Sequence, residues 1–270
     1  MIEWFSSLGI LTAICLVINF ITALGIIFLE RKNPSATLAW LFVLFIIPVL
    51  GAVCYLFLGQ NISRQRLFKL SKNEEYFVRK ALKEQVEDME NGKFPYSDEA
   101  YIWRDMIRLN QTYGGAYYTQ DNTPEIIVDG NDFIKSLLKD IEEATSSVNV
   151  EFYIVKGDEV GNALIKALEK KAAEGVDVRF LVDAVGGREI WERDLEQLAA
   201  AGGKYAFFFR PKLRMVNLKL NYRNHRKLVT IDGRIGYIGG FNIGREYLGR
   251  KKKFGYWRDT HLRFFGGCVL

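Results

Sequence analysis

The sequence predicts an α/β protein in which a two-helix transmembrane hairpin precedes one domain with a mixed, largely parallel sheet. Three features predict this. Two long uncharged runs come first, a charged segment follows, and the remainder alternates apolar strand patterns with amphipathic helix patterns. We place the hairpin at 1–62, a juxtamembrane helical linker at 63–114 and the α/β domain at 115–270.

The hairpin prediction depends on the absence of charge. The run from Trp4 to Leu29 has no charged residue and, at about 1.5 Å per residue, can cross a hydrocarbon core of about 30 Å. A second uncharged run predicts a helix at about 37–58 that Pro48 would kink. A cleavable signal peptide is the alternative for the first run, but no basic segment precedes it and a second span follows at once.

Basic residues near the two spans predict the orientation. The connection between the spans carries Arg31 and Lys32 beside Glu30. A larger basic group follows the second span: Arg64, Arg66, Lys69 and Lys72. This excess predicts a multi-pass protein of the cell membrane whose carboxyl-terminal domain is cytoplasmic. The same residues can rest on anionic headgroups, although a solvated charged helix is an equal alternative.

Composition excludes several kinds of site. The net charge of +5 favours anionic partners, but it does not separate a lipid surface from a nucleic acid. Two histidines and three scattered cysteines provide neither a zinc site nor a disulfide framework. Any chemistry must therefore use few imidazoles.

In the α/β domain, strand and helix patterns alternate. Strands are predicted at Val148–Val155, Val178–Val182 and Tyr205–Phe209. A helix is predicted before each of these three strands. We expect Asn131 to cap the first of these helices. This order predicts right-handed crossovers and ligand binding beyond the carboxyl ends of the strands.

Two acidic residues accompany these strands. Glu151 lies within an otherwise apolar strand, and Asp183 ends the next one. Glu151 is a candidate binding residue, with a solvent-facing position as the alternative.

The strongest chemical signal begins at His225. Arg226–Gly240 reads as two short strands joined by Asp232-Gly233, an Asp-Gly pair typical of hairpins. His225 and Lys227 are two residues apart and project from the same face of an extended chain. A neutral imidazole can attack phosphorus, and an ammonium can neutralise the non-bridging oxygens.

Glycine and asparagine complete the pattern. Gly240 permits close approach of a ligand to the backbone, and Asn242 adds an uncharged donor. Each residue alone has an ordinary structural explanation, but the spacing His-x-Lys-x4-Asp-x6-Gly-Gly-x-Asn is restrictive. It predicts a phosphodiester-handling site.

The segment 221–249 resembles the first catalytic motif of bacterial cardiolipin synthases, in the phospholipase D superfamily. Other segments that resemble this family are 30–40 and 48–61, in its membrane domain, and 150–155, 175–186 and 256–263, in its catalytic half. The resemblance implies a phospholipase D-like α/β half with its motif region at 220–247.

The resemblance also implies a reaction. Two phosphatidylglycerol molecules would be joined into cardiolipin with release of glycerol, without metal or nucleotide cofactor and without nucleic acid as a partner. His225 would attack phosphorus or protonate the leaving glycerol, while Lys227 and Asn242 would hold phosphate oxygens. Asp232 would support the site, and His261 would make headgroup or structural contacts.

The chain departs from the family in one respect. Synthases of this type resemble a duplicated protein in which each half supplies a histidine, and here only one His-x-Lys motif occurs. We expect either a fragment of a longer enzyme or a homodimer that pairs two copies of His225, with the fragment favoured. The alternatives are an inactive or split membrane protein that binds anionic lipid or a partner half, and a phospholipase D-like phosphodiesterase.

Overall fold

The structure is a computed structural model that describes residues 2–29, 34–55, 72–209 and 223–269. The chain forms two compact units, which we describe separately: one contains the helices before residue 56, and the other contains residues 72–209 with 223–269. The predicted hairpin loop, the basic residues Arg64, Arg66 and Lys69, and residues 220–222 of the motif region lie outside the described residues.

The first unit consists of apolar helices. Helix α1 (Ile2–Leu24) continues into a π-helical turn, Gly25–Leu29, and is followed by α2 (Pro34–Ile46) and α3 (Pro48–Cys54). The second predicted helix is thus interrupted at Ile47, because Pro48 has no N–H to continue the hydrogen-bond ladder.

A small core joins these helices, with Trp40 and Tyr55 packed edge to face at 5.2 Å. Within the described residues, none of the helices combines the length and apolar character needed to cross a membrane.

The second unit begins with three helices, α4 (Lys72–Glu90), α5 (Asp98–Tyr101) and α6 (Arg104–Gly114). A buried amide contact fixes α6 on α4, because Gln111 Nε2 donates to Gln85 Oε1 at 2.6 Å. Gln85 also bonds both backbone groups of Tyr118, which attaches the following segment.

The α/β part contains a seven-stranded sheet in the order β1-β7-β6-β5-β2-β3-β4. The strands are β1 (Thr123–Asp129), β2 (Ser147–Phe152), β3 (Asp177–Asp183), β4 (Lys204–Phe208), β5 (Lys227–Ile231), β6 (Ile235–Gly239) and β7 (Arg258–Phe265). The main helices are α7 (Gly130–Glu142), α8 (Glu159–Ala173) and α9 (Glu196–Ala200). They pack side by side, and their apolar residues join those of the strands in one core.

The predicted α/β class and mixed sheet are confirmed, but the expectation of a largely parallel sheet is wrong. Only the β2–β3 and β3–β4 pairs are parallel; the other four described pairs are antiparallel. The reason is that β5 and β6 form a tight hairpin, and β1 and β7, which the sequence analysis did not predict, pair antiparallel beside it.

The helix cap was also misplaced. Asp129, not Asn131, caps α7: its carboxylate accepts the backbone N–H groups of Asn131 at 2.8 Å and Asp132 at 3.3 Å. Asp129 lies two residues before Asn131, directly before the first helical residue, where a side-chain oxygen can accept the free N–H groups of the first turn.

Candidate active site

The sheet brings His225, Lys227 and Asn242 together at one end of its strands. Strand β5 pairs antiparallel with β2, so that Lys227 at the start of β5 lies opposite Phe152 at the end of β2. Strand β6 then returns beside β5, with Ile238 opposite Leu228. His225, immediately before β5, and Asn242, shortly after β6, therefore lie at the carboxyl end of β2, where α/β sheets commonly bind ligands.

His225 and Lys227 are in direct contact. The Lys227 ammonium lies 3.0 Å from His225 Nδ1 and donates to the His225 carbonyl oxygen at 2.8 Å. The Tyr153 ring packs against both, with its centroid 4.4 Å from the imidazole centroid and 5.4 Å from Lys227 Nζ. Lys227 is only 4% exposed, whereas His225 is open to solvent. This geometry presents an imidazole to a ligand with a cation held beside it.

Burial lowers the pKa of both groups, and the charge of Lys227 adds to the shift at His225. Partial burial of the ring lowers the pKa of His225, the Lys227 ammonium lowers it further, and Asp183 opposes them. Burial lowers the pKa of Lys227, opposed by the carboxylate of Asp259. A lowered pKa keeps His225 neutral near pH 7, as a nucleophile requires.

Asn242 lies in the same region. Its Oδ1 accepts the backbone N–H of Ile154 at 3.0 Å, next to the Tyr153 whose ring contacts His225. The flanking Ile243 exchanges backbone hydrogen bonds with Ile154 and Lys156, at 3.1 and 2.9 Å. Asn242 is thereby fixed with its carbonyl oxygen occupied. Its side chain also hydrogen-bonds Tyr247, and the other N–H of its NH2 group is the part suited to a phosphate oxygen.

Close packing against Asp259 requires glycine at position 240. A Cβ atom there would lie 1.8 Å from Asp259 Oδ1, so only glycine lets this carboxylate approach. The Gly240 N–H donates to the Thr260 carbonyl at 2.8 Å. The substrate contact predicted for Gly240 remains a prediction. Asp259 is a further residue of the site; the sequence analysis included it in the segment 256–263 but did not select it.

Glu151 and Asp183 hold the residue that precedes His225. The Asn224 side-chain NH2 donates to Glu151 Oε1, and the Asn224 backbone N–H donates to Asp183 Oδ2 at 3.0 Å. Asp183 is fully buried and also accepts the Val185 and Gly186 N–H groups. These contacts give Glu151 a positioning role, and its predicted role in binding substrate remains a prediction.

Asp232 is not brought to this cluster. It follows the last residue of β5, whereas Lys227 begins that strand, so roughly 17 Å of extended chain separates them. Its carboxylate accepts the backbone N–H groups of Thr145, Ser146 and Ser147 at 2.8–2.9 Å, together with the Thr145 and Ser146 hydroxyls. These bonds tie the β5–β6 turn to the start of β2, a position that favours a structural role for Asp232, and its catalytic role remains a prediction.

His261 is a core residue. It is 0% exposed, stacks on Phe133 at 4.2 Å between ring centroids, and has no hydrogen-bond partner on either ring nitrogen among the described residues. Burial lowers its pKa to about 4, against the opposing effect of Asp259. Its position supports the structural contact expected for it and places it out of reach of a headgroup.

The described site therefore contains one solvent-accessible imidazole, one buried ammonium, an amide and a nearby carboxylate, at the carboxyl end of β2 in a mixed α/β sheet. Comparison with known proteins relates two segments of the chain to described families. Residues 137–253 match the family described as cardiolipin synthase, phospholipase D-like domain, and residues 17–60 match the one described as phospholipase D-nuclease N-terminal.

Curated relatives of this chain carry the same family name. The major cardiolipin synthase ClsA of Bacillus subtilis is 46% identical over 97% of this chain and 54% of its own length. A cardiolipin synthase of Listeria innocua is 44% identical over 97% of this chain and 55% of its own length. The chain thus spans about half the length of the curated relatives it matches.

Among solved structures, NucT from Helicobacter pylori is 17% identical, with a TM-score of 0.42, over 55% of this chain and 89% of that one. Such a weak structural similarity adds nothing to the assignment, which rests on sequence. Over nearly its whole length the chain is therefore similar to cardiolipin synthases, and its residues 137–253 match their phospholipase D-like domain.

Proposed function

We propose that this chain provides one catalytic half of a phosphatidyltransferase that joins two phosphatidylglycerol molecules into cardiolipin and releases glycerol. The observation that carries the proposal is the contact between the Lys227 ammonium and the exposed imidazole of His225. Relatives that are 44–46% identical over nearly the whole chain and are named cardiolipin synthases support the choice of substrate.

The reaction proceeds in two displacements. A nitrogen of neutral His225 attacks the phosphorus of the first phosphatidylglycerol, and the bond from phosphorus to the glycerol oxygen breaks. Glycerol leaves with a proton supplied by a general acid. A hydroxyl of the second phosphatidylglycerol then attacks the phosphohistidine, gives up its proton and releases His225 with cardiolipin formed. Lys227 and the Asn242 NH2 group stabilise the non-bridging oxygens in both steps.

The general acid comes from a second half. The chain has two histidines, and His261 is enclosed by aromatic rings. A second copy of this chain in a homodimer, or a separate half of the same family, supplies the other imidazole. The length of the relatives favours a separate half.

We also propose that the first unit anchors the protein as a multi-pass hairpin in the cell membrane, with the α/β part in the cytoplasm. The uncharged run from Trp4 to Leu29 and the basic residues after Ile62 support this placement. An anchored domain meets phosphatidylglycerol at the bilayer surface, where the proposed substrate resides.

The function is tested with the purified full chain in phosphatidylglycerol vesicles, alone and mixed with the carboxyl-terminal half of the Bacillus subtilis relative. Cardiolipin and glycerol are measured for the unaltered chain and for His225→Ala. We expect equal amounts of both products on mixing, and neither with His225→Ala. Product formed by the chain alone would assign the second histidine to another copy, and product that persists in His225→Ala would refute the catalytic role of His225.

A further inference from the structure

Helix α6 of the second unit has an apolar surface that no described side chain covers. It consists of Ile102, Met106, Leu109 and Tyr113, which are 71%, 52%, 57% and 84% exposed. Spacings of four, three and four residues place them within about 60° of one another around a helix. Ile102, in the turn before α6, keeps helical backbone angles (φ −63°, ψ −23°). We call these four residues the α6 stripe.

The opposite side of α6 is already packed. Ile107 and Gln111 are buried, and Gln111 bonds to Gln85 of α4. The helix is therefore fixed to its own unit by one face, and it presents the α6 stripe outward.

The α6 stripe is large for a surface feature. A large apolar or aromatic side chain offers on the order of 150 Å² or more, so four that are more than half exposed present roughly 400 Å². Trp103, 58% exposed, adjoins them. A patch of this size matches the largest that monomeric proteins expose, and such patches usually bind something.

The chemistry of this surface fits a lipid bilayer. The α6 stripe contains no charge, Trp103 stands at its beginning and Tyr113 at its end, and these two residue types favour the interfacial level of a membrane. A single convex helix also suits a planar surface better than a groove-forming protein partner.

The arginines of α6 lie away from the α6 stripe. Arg104 and Arg108 line a cavity on the side of α6 that packs on α4, together with Glu90 and Gln111. Arg108 pairs with Glu90 at 2.7 Å, and Arg104 donates to the Tyr101 carbonyl at 3.2 Å. Apolar and aromatic contacts would therefore hold the stripe on a bilayer without help from these charges.

We propose that the α6 stripe lies in the headgroup–acyl boundary of a phospholipid bilayer, with α6 parallel to the surface. This contact is additional to the hairpin and to substrate binding at His225. It would hold the catalytic domain against the membrane.

Spin-label accessibility tests the proposal without relying on activity. The full chain, with Cys15, Cys54 and Cys268 replaced by alanine, carries a nitroxide at Leu109→Cys or, as the matched control, at exposed Thr112→Cys on the same helix outside the α6 stripe. Both proteins are placed in vesicles of equal parts phosphatidylglycerol and phosphatidylcholine. We expect the label at position 109 to collide several-fold more with oxygen than with a water-soluble nickel chelate, and the label at 112 to show the reverse.

Two results would overturn the proposal. Equal exposure of both labels to the nickel chelate would place the α6 stripe in water. A label at position 109 that is immobile and shielded from both reagents would identify a protein partner, such as a second copy of this chain. Because neither readout needs catalysis, a loss of the proposed transferase activity would leave this result unaffected.

Discussion

At the residue scale, the site pairs a buried cation with an exposed imidazole. The Lys227 ammonium has a carbonyl oxygen, an imidazole nitrogen and an aromatic face around it, and both its own pKa and that of His225 are lowered. An anionic phosphate diester beside this pair would stabilise the buried ammonium, whose pKa burial lowers. The arrangement therefore favours binding of a negatively charged group directly at the nucleophile.

Replacing Lys227 tests this coupling. Because its positive charge disfavours the imidazolium, Lys227→Met should raise the pKa of His225 toward the ordinary value of 6.5. The loss of phosphate stabilisation should also slow transfer by about 100- to 1,000-fold. An NMR titration measures the pKa directly, since the chain has only two histidines.

The exposed Lys252→Met serves as the control, because it removes the same charge from a loop. The coupling is wrong if the pKa of His225 falls, or if both lysine variants shift it equally.

The residues of the site differ in how well the sequence predicted them. His225, Lys227 and Asn242 follow from local spacing, because a hairpin fixes the direction of each side chain. Tyr153 directly follows β2 and Asp259 lies in β7. Strand pairing brings both to the site, and spacing within one segment does not reveal that pairing. These two residues can be identified only when the order of the strands in the sheet is known.

At the element scale, β5 carries a residue of the site at one end and a structurally fixed turn at the other. Its first residue forms the site, and the turn after it is anchored by Asp232, whose φ of 54° places it in the left-handed region. Burial would raise the pKa of Asp232, but hydrogen bonds from Ser147, Ser146 and Thr145 hold it well below the ordinary value of 3.8. These bonds favour a structural role for Asp232 in positioning the strand.

Asp232→Asn should lower the free energy of unfolding by about 2–4 kcal/mol, because it removes a charged acceptor of several backbone N–H groups. A group whose folded pKa is depressed stabilises above its unfolded pKa. The difference between the two proteins should therefore be complete above about pH 5 and should shrink below 3.8.

Denaturant unfolding of the second unit at pH 7 and pH 3 measures this difference. Exposed Asp88→Asn should change stability by less than about 0.5 kcal/mol. An Asp232→Asn protein of unchanged stability but abolished turnover would restore the catalytic role that its position argues against.

The elements themselves were predicted unevenly. Strands β2 to β6 lie where apolar alternation and the Asp-Gly turn placed them. Strand β1 was missed because it is exposed along most of its length, and β7 because charged residues interrupt its apolar ones. Since these two strands pair antiparallel, their omission produced the wrong expectation of a largely parallel sheet.

At the scale of the whole molecule, the chain offers one exposed histidine, whereas the proposed transfer uses two. The other histidine stacks on Phe133 in the core, and the relatives are nearly twice as long as the matched region. The first displacement needs a general acid only because glycerol is a poor leaving group. With a leaving group that departs as a stable anion, this half should complete the first displacement by itself.

The central claim is that His225 is the nucleophile, and a p-nitrophenyl phosphodiester tests it most directly. The full chain is mixed with this substrate, released nitrophenolate is followed by absorbance, and the modified residue is located by mass spectrometry. We predict a burst equivalent to the amount of chain and a phosphoryl adduct on His225, both absent in His225→Gln. An adduct on another residue, or an unchanged burst in His225→Gln, would contradict the account.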